Sequence, residues 1–158
     1  MNKFFYKLFL LMLGSGLFAQ ECHCEKDYAA LQSATIRYVD FINHLGSDKE
    51  FDSNASLICA ADCKKVFNGR LQLKSRDDFV SQLLALKETQ GHWAVNPVDI
   101  LISPMNRTVV LRLVIAIEKA GVFTAIVILR YSPEFLVTEI NEVFNQFEGR
   151  EDEVPKIR

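Results

Sequence analysis

Hydrophobic positions in the last third of the chain gather into four strand-length runs, at about 93–103, 108–118, 122–131 and 136–147. Only residues 104–107, 120–121 and 132–135 separate them. Connections this short force neighbouring strands antiparallel, because a parallel return needs a crossover of about a dozen residues. The pattern therefore predicts a strongly curved antiparallel meander. Upstream the period changes. Tyr28, Leu31, Thr35, Tyr38, Ile42 and Leu45 recur at steps of three and four, which paints one apolar stripe on a helix over about 26–45 that Gly46 ends. A second, shorter helix is expected over about 48–62, burying Phe51, Leu57, Ile58 and Ala61. Residues 64–67 and 70–73 read as a strand pair turning at Asn68-Gly69, the dipeptide best suited to positive φ. Ser75-Arg76-Asp77-Asp78 has the form of a capping box, opening a third helix over 76–90 that buries Phe79, Leu83 and Leu86 and stops at Gly91. Helices first and strands afterwards define an α+β class, with three N-terminal helices stacked on one face of a curved antiparallel sheet. That arrangement predicts a cone with a pocket.

The first nineteen residues read as an address. Lys3 and Lys7 form a positive start, 8–13 an apolar run, and small residues near Ala19 a cleavage site. The organisation expected is a signal peptide over 1–19, a cysteine-bearing segment over 20–25, one domain over 26–148 and a charged tail over 149–158 that frays. A secreted or periplasmic location follows. An uncleaved membrane anchor is the alternative, disfavoured because the apolar run is short for a ~20-residue span. Cleavage leaves 139 residues with 16 basic against 20 acidic side chains, a formal charge of −4. No basic surface is concentrated anywhere, which argues against a nucleic-acid partner.

The order of elements over about 26–147 resembles that of the nuclear transport factor 2-like (NTF2-like) superfamily, whose relatives include SnoaL-like polyketide cyclases and ketosteroid isomerases. The pieces that carry it are Ile36-Arg37-Tyr38-Val39 on the first helix, 57–62 closing the second, Phe67-Asn68-Gly69, the capped third helix and the final meander. The resemblance implies a cone-shaped fold and, in its isomerase branch, particular chemistry. Tyr38 stands where those enzymes carry a tyrosine that donates a hydrogen bond to a developing oxyanion. Their catalytic base falls on Phe67 and Asn68 here, and their second acid on Arg130. Neither replacement can act as the acid–base carboxylate, so that route is not expected. One fold of this kind hosts enzymes, small-ligand binders and assembly modules alike.

If Ala120-Gly121 is a two-residue turn, Leu113, Ile115 and Ile117 share a face with Thr124, Ile126, Ile128 and Arg130; a three-residue turn reverses the partnership. On the first register Arg130 looks into the cone, to hold a ligand carboxylate or pair with Glu139. The expected pocket is then lined by Tyr38, Trp93, Leu113, Ile115, Ile117, Ile128 and Arg130. As catalytic candidates Tyr38, Asp62 and His92 are weak: a tyrosine packed in the core and histidines near element ends have plainer explanations. Both faces of the middle strands are apolar, so a homodimer packing sheet against sheet is expected.

Cys22 and Cys24 open the mature chain, while Cys59 and Cys63 stand one helical turn apart at the end of the expected second helix. An even count in an exported chain argues for disulfides, with connectivity left open. A zinc site at Cys22-His23-Cys24 with Cys59 and Cys63 is the alternative, although the spacing is not that of a zinc ribbon. No metal and no cofactor is expected. The function expected is binding of a small apolar or amphipathic molecule, or of a protein partner, without catalysis. The alternatives are an isomerase, cyclase or lyase using Tyr38 with another base, and an interaction module whose cone is filled.

Overall fold

The computed structural model describes residues 3–47 and 54–157, with side chains from Cys24 onward. The expected signal peptide over 1–19, Cys22 and Phe51 lie outside the residues whose side chains are described. Among the described residues, no helix is long and apolar enough to cross a membrane.

The described residues form two α-helices and six strands: α1 (Lys3–Gly46), β1 (Cys59–Phe67), β2 (Arg70–Leu73), α2 (Arg76–Gln90), β3 (Trp93–Ser103), β4 (Thr108–Ile117), β5 (Gly121–Tyr131) and β6 (Val137–Gln146). They make an α+β fold with one curved sheet, ordered β2-β1-β6-β5-β4-β3 and covered by helix on one face. β3 to β6 form the expected antiparallel meander. The sheet is mixed rather than wholly antiparallel, because β1 docks parallel to β6. A long crossover through α2 and the meander separates those two strands in sequence, which is the length a parallel pairing demands.

The expected helix over 48–62 is not formed where it is described. Residues 55–57 make a single 3-10 turn, capped by Asn54, and β1 begins at Cys59. Leu57 and Ala61, expected to be buried, are exposed. The run Leu-Ile-Cys-Ala-Ala suits either period, and docking onto the open edge of β6 decides for strand. Cys59 and Cys63 therefore sit on a strand. The β1–β2 turn and the cap of α2 form as expected. Asn68 and Gly69 both have positive φ, 46° and 77°, at the β1–β2 turn. Ser75 caps α2 by accepting from the Asp78 amide at 3.1 Å.

On α1, Leu31, Ala34, Thr35, Tyr38, Phe41 and Leu45 are buried, whereas Tyr28 at the head of the expected stripe is about half exposed. The helix is fixed to β3 by polar bonds at its last turn. Trp93 Nε1 donates to the Ile42 carbonyl at 3.0 Å, and the Asn43 amide both donates to the Val95 carbonyl and accepts from the Val95 amide.

The β4–β5 connection has three residues, not two, with Ile117 opposite Gly121. The alternative face assignment therefore applies: Leu113 and Ile115 face inward with Phe123, Ala125, Val127 and Leu129. Ile128 and Arg130 are thrown onto the outer face, away from the cone. Arg130 is well exposed there and lies 3.6 Å from Glu139. The tail also departs from expectation, since it packs instead of fraying. Glu153 is buried, its carboxylate accepts from Arg112 at 3.1 Å, and its carbonyl accepts from Asn96 at 2.9 Å. Arg112 also donates to Asp99 at 2.6 Å, so the outer-face arginine is shared between two carboxylates.

Gly46 is where α1 meets β3 most closely. A Cβ there would stand 2.6 Å from both the indole nitrogen and the carbonyl oxygen of Trp93. Gly46→Ala should therefore push the helix end off the strand and cost about 2 kcal/mol of stability. Urea unfolding reads this as a lower midpoint at unchanged slope; an unchanged midpoint would show that the contact tolerates the methyl group.

Candidate functional site

The space between α1, α2 and the concave face of the sheet is not completely filled. An inner chamber of about 80 Å³ lies under the helices, lined by Tyr38, Val39, Ile42, Phe79, Leu83, Trp93, Val95, Leu113, Ile115 and Val127 among others. That is well above the ~15 Å³ a single water needs. The wall is almost wholly apolar. An open cleft of about 540 Å³ adjoins it between α2 and the β1–β6 edge, where Phe67, Gln72, Gln82, Ala85 and Thr89 contribute. Chamber and cleft share Lys65, Leu83, Leu86, Ile117, Glu142 and Phe144, so the two adjoin along this wall.

A pair of opposite charges stands at this junction. Lys65 Nζ lies 2.9 Å from Glu142 Oε2, with about a tenth of each side chain accessible. Strand geometry puts them there. Lys65 follows Cys63 on the inward face of β1, and Glu142 falls between Ile140 and Phe144 on the inward face of β6. Lys65 pairs with Ile140 and Phe67 with Glu142, which makes the two charges diagonal neighbours on one face. The ammonium also stands over the Phe79 ring, 5.3 Å from its centre. A lone charge in this apolar setting would be strongly disfavoured; each is tolerated because the other is in contact.

Tyr38 enters the chamber from α1. Burial pushes its hydroxyl well above the ordinary tyrosine range, and the Glu142 carboxylate adds to the shift. It therefore remains a neutral donor throughout the physiological range. A buried hydroxyl pair lies deeper. Thr35 Oγ1 and the Tyr131 hydroxyl are 2.9 Å apart, and burial raises Tyr131 to about 12.

The expected site residues divide cleanly. Tyr38, Trp93, Leu113, Ile115 and Ile117 line the chamber. Ile128 and Arg130 do not, for the register reason given above. Asp62 is exposed on β1, and His92 precedes β3 on the far edge of the sheet, where its ring and amide meet Glu118 at about 3 Å. With β6, β5 and β4 between β1 and β3, those two residues are not brought together. Asn68, at a position where the isomerases carry their base, serves the turn: its side chain accepts from the Phe144 amide. Lys65 and Glu142 were missed. The signal available was inward phase, since Cys63-Lys65-Phe67 and Ile140-Glu142-Phe144 each put a charge between two apolar residues at period two.

Cys24, Cys59 and Cys63 are free thiols, so the described residues contain none of the expected disulfides. They contain no cluster of three or more histidine, cysteine or acidic residues placed to hold a metal.

No family model matches the sequence, and no curated protein does. Solved structures match the fold. An NTF2-like protein of unknown function from Exiguobacterium sp. 255-15 aligns with a TM-score of 0.60 at 18% identity, covering 72% of this chain and 99% of its own. A protein assigned as a SnoaL-like polyketide cyclase from Jannaschia sp. CCS1 aligns with 0.62 at 8% identity, covering 75% and 87%. The pinacolase of Penicillium brevicompactum aligns with 0.64 at 16% identity, covering 75% and 85%. The chain thus has the NTF2-like, SnoaL-like cone fold, and at these identities the likeness extends to fold alone.

Two predictions follow from the chamber. Removing one partner of the Lys65–Glu142 pair leaves a buried charge exposed to apolar surroundings. Lys65→Met should cost about 3 kcal/mol in urea unfolding, and adding Glu142→Leu should restore most of it. Additive losses would show that the charges are not coupled. Alkali acts on the buried tyrosines. Below pH 10 both hydroxyls are neutral whether the chain is folded or not, and stability does not depend on them. Above pH 10 the unfolded chain ionises while Tyr38 and Tyr131 do not, so stability falls as pH rises through about 12. In a spectrophotometric titration their tyrosinate absorbance should appear together with unfolding, not before it.

Proposed function

We propose that this protein is an exported binding domain that takes up a small amphipathic molecule in the cone. The apolar part of the ligand fills the chamber, and its polar end meets Lys65, Glu142 and the Tyr38 hydroxyl. The observation that carries this reading is the ion pair at the junction of chamber and cleft, which offers a donor and an acceptor to a ligand at the neck of an otherwise apolar channel. Chamber and cleft together reach the size at which pockets enclose drug-sized ligands, roughly 300–1,000 Å³. The chamber alone does not. Export rests on the signal-like character of 1–19.

Binding is preferred to catalysis because the carboxylate in the chamber is engaged by Lys65 at 2.9 Å. A base must be free to reach the proton it removes. The second reading is an isomerase, cyclase or lyase, which one specific observation favours: Tyr38 and Glu142 line the same apolar chamber. In that reading Tyr38 polarises a carbonyl and Glu142 accepts the proton once a substrate displaces Lys65.

The test is native mass spectrometry of the exported protein for co-purified ligand, followed by titration with 1-anilinonaphthalene-8-sulfonate as an amphipathic probe. Ile115→Trp places bulk in the chamber and should weaken probe binding by about tenfold, about 1.4 kcal/mol, while the fold is retained. Binding unaffected by that substitution would place the probe elsewhere and sink the proposal. Conversion of an added ligand, lost in Tyr38→Phe and in Glu142→Gln, would favour the enzymatic reading.

A further inference from the structure

Cys59 and Cys63 stand four residues apart on one strand. In unbroken β-structure four steps span about 13 Å, beyond the reach of a shared bond. β1 is not unbroken there. Cys59 pairs with Val137 and Lys64 with Glu139, so β1 advances five residues while β6 advances two. The surplus is thrown outward: Ala61 and Asp62 are exposed, while Cys59 and Cys63 turn in and are 0% and 1% exposed. The bulge thus turns both thiols to the same inward face within one widened step of the ladder, where each acts on the ionisation of the other. Nothing in the proposed binding role uses them.

We propose that Cys59 and Cys63 are a redox site, a dithiol that closes to an intramolecular disulfide by exchange with a small disulfide of the glutathione type. The Cys63 thiolate attacks one sulfur of oxidised glutathione, forms a mixed disulfide and expels one glutathione thiolate. Cys59 then gives up its proton and attacks the Cys63 sulfur, forming the Cys59–Cys63 bond and expelling the second glutathione. Two thiols lose two electrons and two protons, and one oxidised glutathione becomes two reduced molecules. Cys63 is the attacking group because its interaction with Cys59 holds its thiol below the ordinary range, with the Lys65 ammonium acting in the same direction and burial and the Asp62 and Glu139 carboxylates against it. Cys59 is held protonated by its interaction with Cys63 and by burial. Both thiols are shut off from solvent, so exchange proceeds through opening of β1 at the bulge, where Ala60, Ala61 and Asp62 have no partner on β6.

Closure fixes the length of the bulge, and Lys65 lies two residues beyond it. The redox state of the pair therefore sets how firmly the lysine is held at the neck of the chamber. The chemistry is independent of the proposed ligand, so failure of either leaves the other standing.

The experiment equilibrates the purified full-length protein across a series of oxidised-to-reduced glutathione ratios, alkylates free thiols and maps the peptides. At the oxidised end the expected result is a protein lighter by two hydrogens, with both thiols lost together and a cross-link assigned to Cys59 and Cys63. Oxidation should raise the melting temperature by about 5 °C. Cys59→Ser should stall at a Cys63–glutathione adduct, whereas Cys63→Ser should leave Cys59 unmodified. Because the wild-type map alone decides the matter, a variant that fails to fold does not weaken the test. The proposal is overturned if both cysteines remain alkylatable, after denaturation, at the most oxidising ratio. It is equally overturned if the bonds found join either of them to Cys22 or Cys24.

Discussion

The register of β1 against β6 is the constraint on which the site depends. A side chain on a strand has two choices of face, and a shift of one residue exchanges them all. β1 enters the sheet with Cys59 facing inward and, after its bulge, continues with Cys63, Lys65 and Phe67 inward. An even phase after the bulge would send Lys65 into solvent and leave Glu142 buried without its cation. An unpaired carboxylate in that wall costs far more than the pair does. The buried ion pair and the β-bulge are thus one feature seen at two places along a strand. β6 has its own adjustment, a register shift opposite Arg130 and Tyr131, which allows both Val137 and Ile140 to face the core. Two irregular strands meet in the only parallel pairing of the described sheet, and the charges sit where they meet.

What the sequence revealed follows the reach of each physical signal. Turn and cap chemistry acts over four residues, so Asn68-Gly69, Ser75 and Gly91 could be placed without the fold. The meander was equally legible, because short connections admit one sense of pairing. The strand of Cys59 could not be read that way. Its residues favour no period, and what makes them a strand is an edge supplied by β6, more than seventy residues downstream. The same limit applies to the pocket. Tyr38, Trp93, Leu113, Ile115 and Ile117 follow from periodicity alone, whereas Arg130 depends on whether one turn holds two residues or three. Lys65 and Glu142 were passed over because charged residues in strands are ordinarily solvent-facing; only the phase of their apolar neighbours marks them as inward.

The outer face of the sheet shows how a local contact redistributes a problem that the sequence poses globally. Val110, Val114, Ala116, Ile126, Ile128 and Val143 all face away from the helices, which is more apolar surface than a lone sheet face normally leaves to water. The tail resolves part of this. Held through Glu153 by Asn96 and Arg112, it lies against β3 and β4, and Val114 and Ala116 on that side are buried. Leu101, Ile126 and Val143 stay exposed at 70%, 38% and 44%. The division follows the position of Arg112, whose guanidinium is the one cation on the outer side of β4 and is matched by Asp99 and Glu153 at once. Arg112 thus serves as the anchor for a chain segment that covers part of this apolar face.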